Sequence, residues 1–245
     1  MSIGAVIIPV RMASTRLPGK PMAEINGKPL LWHVWERCTN AVGDERVVVA
    51  GCDDEVKEFC QQEGIKYTCT SRSCLTGTDR VAEAVDLLNL DFAVNVQGDE
   101  PLLEAADVRH VFERMQADQS VVLNCYSDLR SDEVLDPSVP KVAISLSGRL
   151  LYMSRGGIPY DKHISANALY KQVCIYGFSS NHLKIFKSVL GKTPVESVED
   201  IEILRFLELD VGVQMIQVTP TPIAVDTQQD LEKARRLMSD GFVSK

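Results

Sequence analysis

Short apolar runs, largely β-branched, recur along the first half of this chain, each followed by turn residues and then by helical spacing. No other feature restricts the possible folds as much. Ala5-Val6-Ile7-Ile8-Pro9-Val10, Arg46-Val47-Val48-Val49-Ala50-Gly51, Lys66–Thr70 and Phe92-Ala93-Val94-Asn95-Val96 read as buried strands. Between and after them, Pro29–Ala41, Asp53–Glu63, Thr78–Leu88 and Ala105–Ala117 place apolar residues at helical spacing. Buried strands alternating with helices pack as a mostly parallel, doubly wound α/β sheet. In such sheets ligands sit outside the carboxyl ends of the strands. From Val121 the pattern changes. Val121–Cys125, Lys141–Leu146, Leu150–Met153 and Val173–Phe178 read as strands joined by hairpin-like links such as Ser147-Gly148, a smaller mixed or antiparallel insertion. A helix over Glu199–Leu209, a strand over Gln214–Val218, a Pro220-Thr221-Pro222 turn and a final helix over Gln228–Ser239, capped by Thr227, complete the reading. The 245 residues suit one domain, 1–245, with 121–190 as a subregion of it.

The first strand runs into Arg11-Met12-Ala13-Ser14-Thr15-Arg16-Leu17-Pro18-Gly19-Lys20, which sets three cations among small and kinking residues. Such a loop suits a polyphosphate, and the helix after it would aim further backbone donors at an anion. A solvated surface loop is the other reading. Neither familiar nucleotide loop is present: there is no G-x-G-x-x-G, and Gly191-Lys192-Thr193 has Phe186 where a P-loop needs its first glycine. A net charge of −8 lacks the basic footprint of a nucleic-acid binder, so a cationic loop in this chain points to a small anion. No apolar run approaches a membrane span, and the N-terminus lacks the layout of a signal peptide. The seven cysteines contain no C-x-x-C and read as reduced thiols of a cytoplasmic protein. Asp99 and Asp226 each end an apolar run. They could share one hard cation such as Mg²⁺, or serve singly as a turn former and a helix cap. The histidines (33, 110, 163 and 182) sit in helical or surface contexts, and nothing resembles a nucleophile–histidine arrangement.

Five motifs, in order along the chain, resemble the CMP-KDO synthetases, the 3-deoxy-manno-octulosonate (KDO) cytidylyltransferases of the sugar nucleotidyltransferase group. They are I-I-P-V-R-M-A-S-T-R-L-P-G-K-P, T-G-T-D-R, N-V-Q-G-D-E-P, Y-M-S-R-G-G-I-P-Y and A-V-D-T-Q-Q-D-L-E. The resemblance runs from about Ile7 to Leu237. It implies a Rossmann-like nucleotidyltransferase sheet in a homodimeric enzyme that joins CTP to a 2-keto sugar acid. It also implies roles by position. Arg11 and Lys20, with Arg16, would hold the CTP phosphates, and Thr76, Gly77 and Arg80 would lie against cytosine and ribose. Asp99 and Asp226 would bind Mg²⁺, and Gln97, Arg155, Tyr176 and Glu202 would line the sugar-acid pocket. Two positions depart from the family pattern: Gln172 stands where it has histidine, and Ile203 where it has glutamine. Both would fall in the acceptor pocket, so the acceptor could be KDO or a relative of it, such as an amino-modified KDO, a sialic-type acid or a phosphonate, and a catalytically silent nucleotide-binding relative is the other reading.

Overall fold

The computed structural model describes residues 2–14, 16–160, 169–220 and 223–239. Thr15, His163 and the Thr221-Pro222 pair of the expected turn lie outside the described residues. The chain runs β1 (Gly4–Pro9), the two-residue strands β2 (Glu24–Ile25) and β3 (Lys28–Pro29), α1 (Leu30–Val42), β4 (Val47–Gly51), α2 (Asp54–Gln62), β5 (Tyr67–Cys69), α3 (Gly77–Leu88), β6 (Phe92–Val96) and α4 (Ala105–Ala117). It continues through β7 (Val122–Asp128), β8 (Lys141–Ile144), β9 (Leu150–Ser154), β10 (Tyr170–Ser179), α5 (Ser180–Phe186), α6 (Pro194–Glu199), α7 (Leu204–Glu208), β11 (Val213–Gln217) and α8 (Gln228–Ser239).

The main sheet has the order β11-β7-β10-β6-β1-β4-β5, with β8 and β9 branching from β10. β6, β1, β4 and β5 pair in parallel, as do β7 and β11. β10 runs antiparallel to both β6 and β7. The antiparallel pairing expected after Val121 is present, and β10 carries it into the main sheet, where it is buried over most of its length. Alternate residues of β1 face two different cores. Val6 and Ile8 pack with α1 and α4 residues such as Val34 and Val111. Ile7 packs on the opposite face with Val81, Val85 and Phe178. That two-sided burial is why β1 reads as an unbroken apolar run.

One expected helix and several short elements differ from the sequence reading. The helix expected over Glu199–Leu209 is two short helices, α6 and α7, broken by Asp200 at φ 52°. The left-handed turn lets the Asp200 amide bond back to Glu196 O. α5 and the small β2–β3 hairpin carry too few residues for a periodic signal. α8 is capped as expected: the Thr227 amide donates to Asp230 Oδ2 at 2.9 Å, and the Asp230 amide to Thr227 Oγ1 at 3.2 Å.

Candidate active site

A cleft of about 810 Å³ opens at the carboxyl ends of β1 and β6, and every candidate site residue of the sequence lines it. At its centre Lys20 Nζ donates to Asp99 Oδ2 and to Asp226 Oδ1, each at 3.0 Å. Arg16 pairs with the same Asp226 oxygen at 3.1 Å. Arg11 is exposed on the rim and has no ion pair among the described residues. Burial opposes the charge on Lys20, but the two carboxylates outweigh it and leave the ammonium above its ordinary pKa. The lysine is therefore a fixed cation at neutral pH.

The loop reaches this geometry by folding back on itself. Gly19 takes φ 69°, a left-handed conformation that glycine adopts without a side-chain clash, and donates to Met12 O at 3.2 Å. The Met12 amide is held by Asp53 Oδ2 at 2.9 Å. Asp226 arrives through one backbone contact, Val225 N to Asp99 O at 2.8 Å. The apolar patch of Leu17, Leu102, Val225 and Leu231 holds that contact in place.

The start of α1 does not serve the cleft, contrary to the sequence expectation. Its first amide is spent on Ala23 O at 2.8 Å, and Leu30 and Leu31 are fully buried. The helix start that does face the cleft is that of α3. Thr76 caps it reciprocally with Asp79. Gly77 leaves room for Gln97, whose Nε2 would lie only 2.7 Å from a Cβ built at that position. The Gly77 and Thr78 amides both donate to the Glu202 carboxylate, at 3.0 and 2.7 Å. Burial raises the Glu202 pKa, an effect these two bonds oppose. Arg80 is buried, bonded to Thr70 Oγ1 and to Ser71 O, and so shapes the turn beneath the cleft floor.

At the far end Arg155 latches two segments together. It donates from Nε to Glu199 O at 2.7 Å, from Nη2 to Asp200 O at 3.0 Å and from Nη1 to Pro137 O at 3.1 Å. Gln172 Nε2 donates to Asn124 Oδ1 and to Tyr176 Oη, both at 3.1 Å. Ile203, expected in the acceptor pocket, does not line the cleft but is buried among the core residues behind it, where an apolar side chain suits the packing.

Several groups that shape this site carry no local sequence signal. Glu100 Oε1 accepts the Cys174 amide at 2.9 Å. Lys171 and Glu133 are both buried and pair at 2.6 Å. Asn124 comes from the middle of β7. The Thr76–Asp79 box was missed by the sequence reading, although a threonine three residues before an aspartate at a helix start is a capping signature that could have found it. Two histidines support packing away from the chemistry: His33 bonds to Ile25 O and His182 to Ser179 Oγ.

Cations and carboxylates gathered in one cleft, with no histidine among its described lining residues, suit the neutralisation of charge around a transferring phosphorus. On this sheet that defines the nucleotidyltransferase class. Residues 5–213 match the family described as cytidylyltransferase, and the chain belongs to that family. It is 38% identical over 235 residues to the 3-deoxy-manno-octulosonate cytidylyltransferase of Myxococcus xanthus, covering 95% of each chain. To the Escherichia coli enzyme of the same name it is 34% identical, covering 98% of this chain and 97% of that one. Among solved structures, a CMP:2-keto-3-deoxy-manno-octonic acid synthetase complexed with CTP superposes with a TM-score of 0.88 at 33% identity, covering 98% of this chain and 99% of that one. The protein is thus a CTP-dependent nucleotidyltransferase.

Proposed function

We propose that the acceptor is a 2-keto sugar acid of the KDO type, converted with CTP to a CMP-sugar and pyrophosphate. The observation that carries this reading is the placement of Lys20, Asp99 and Asp226 in one cleft with the polar wall of Gln172 and Tyr176. The anomeric hydroxyl oxygen forms a bond to the α-phosphorus while the bond to the bridging oxygen of the β-phosphate breaks. Lys20, Arg11 and Arg16 stabilise the charge that builds on the departing pyrophosphate. Thr76, Gly77 and Arg80 shape the nucleoside side, whereas Gln97, Arg155, Tyr176 and Glu202 border the acceptor side.

Asp99 and Asp226 fit a Mg²⁺ ion. Asp99 Oδ1 is buried without a hydrogen-bond partner among the described residues. Two carboxylates beside phosphate oxygens are also the hard-oxygen donor set that this ion takes. When bound there, Mg²⁺ supplies Lewis-acid neutralisation of phosphoryl charge and lowers the pKa of the acceptor hydroxyl. Lys20 holds the two carboxylates together in this structure.

The test is pyrophosphate release with Mg²⁺ across KDO, its 8-amino analogue, sialic-type acids and phosphonates, with UTP and ATP as nucleotide controls. Turnover is expected with CTP and a KDO-type acid. Release only with phosphonates or sialic-type acids would overturn the acceptor assignment.

A homodimer and a cytoplasmic location complete the proposal, with 121–190 carrying the acceptor pocket and the dimer contact. Among the described residues β9 pairs only with β8, and it exposes Leu151 and Tyr152, an edge suited to a second copy. All seven cysteines are free. Sedimentation velocity should give a mass near twice that of the chain, and Leu151→Glu should shift it toward the monomer. A monomeric parent would remove the dimer.

A further inference from the structure

β10 carries an irregularity beside the cleft. Its register against β7 jumps from Val173 opposite Cys125 to Tyr176 opposite Asn124, which leaves Cys174 and Ile175 without facing partners on β7. The buried Asn124 side chain repairs that gap, donating from Nδ2 to Val173 O at 3.2 Å and to Ile175 O at 3.1 Å. Two backbone carbonyls can only accept, so the Asn124 amide has a single workable orientation, with Oδ1 turned toward Gln172. Oδ1 in turn requires a donor, which fixes the Gln172 amide: Nε2 spends its hydrogens on Asn124 Oδ1 and Tyr176 Oη. Gln172 Oε1 accepts no hydrogen bond among the described residues, and Gln172 lines the cleft.

We infer that Asn124 is a positioning residue that locks Gln172 with its carbonyl oxygen toward the acceptor, so that the enzyme selects a sugar acid presenting a hydrogen-bond donor, a hydroxyl or an ammonium, at that point. This rests on the sugar-acid reading above. A bare acceptor oxygen in a partly buried wall rewards an O–H or N–H group and is left unsatisfied by a substrate that lacks one. Selectivity at this wall thus begins in the backbone, at two carbonyls stranded by a register shift, and reaches the substrate through two amides in series.

The experiment is a ligand-by-residue cycle. Acceptor kcat/KM is measured for the parent acid and its single-deoxy analogues, with wild type, Gln172→Leu and Asn124→Ala. One deoxy position should cost wild type roughly 10- to 100-fold, the penalty for leaving one buried acceptor unpaired. That penalty should collapse in Gln172→Leu and shrink in Asn124→Ala, while KM for CTP and the other deoxy penalties stay put. At the same position a fluoro analogue should behave like the deoxy compound, and an amino analogue should retain turnover. The ratio of amino to hydroxy turnover then tells which donor the wall favours. Deoxy penalties that are all indifferent to residue 172 would overturn the inference in an active enzyme. A position-specific penalty that persists in Asn124→Ala would overturn the positioning role. Should Asn124→Ala fail to fold, Asn124→Ser, which keeps one donor for the stranded carbonyls but cannot hold both and Gln172 as the amide does, takes its place with the same expected and overturning results. Wild type that turns over no 2-keto sugar acid would instead sink the functional reading itself.

Discussion

Asp99→Asn should lower CTP- and acceptor-dependent pyrophosphate release by at least about 100-fold, the scale of losing one preorganised electrostatic group at a reacting phosphorus. Asp99 is one of two carboxylates that Lys20 draws together, and its Oδ1 is buried without a partner. Asparagine keeps the shape and removes the charge. The fold should survive, because Lys20 retains Asp226 at 3.0 Å and the Asp99 backbone carbonyl still accepts from Val225. Unchanged circular dichroism with lost turnover is the expected pair of results. Turnover within tenfold of the parent would remove Asp99 from the reacting centre.

Arg205→Met is expected to cost about 3–5 kcal/mol of folding stability, the usual penalty for orphaning one member of a buried ion pair. Arg205 is 1% exposed and grips Glu196 with two bonds, Nε to Oε2 at 2.6 Å and Nη2 to Oε1 at 2.7 Å. Its Nη1 reaches Asp79 Oδ1 at 3.1 Å, and its guanidinium stacks 3.7 Å above the Phe186 ring. Methionine fills much of the volume but strands a fully buried Glu196. Urea denaturation measures the loss. Adding Glu196→Met should recover part of it, since burying two apolar side chains avoids the unpaired charge. A single-variant loss below about 1 kcal/mol would mean that the cluster relaxes or hydrates. Asp79 also caps Thr76, so the same variant should raise KM for CTP by loosening the α3 start.

These two residues mark the limits of what the chain reveals when read alone. Asp99 was legible because it follows an apolar strand within a turn, and a strand end of that kind is where α/β sheets place ligands. Arg205 lies in none of the motifs read from the sequence, and nothing local discloses that its partners are Glu196 and Asp79.

The sequence by itself determined the alternation of strands and helices, the cationic first loop, the acidic turn after β6 and the cap of α8. Each of these depends on neighbours close along the chain, through periodicity, turn chemistry or capping. Tertiary structure decided that β10 runs antiparallel inside the sheet, that α3 rather than α1 opens onto the cleft, and that Lys20 lies between Asp99 and Asp226. It also set the orientation of the Gln172 amide through Asn124. Those outcomes depend on which distant groups meet when the apolar faces are buried, and on the requirement that each buried donor or acceptor then find a partner.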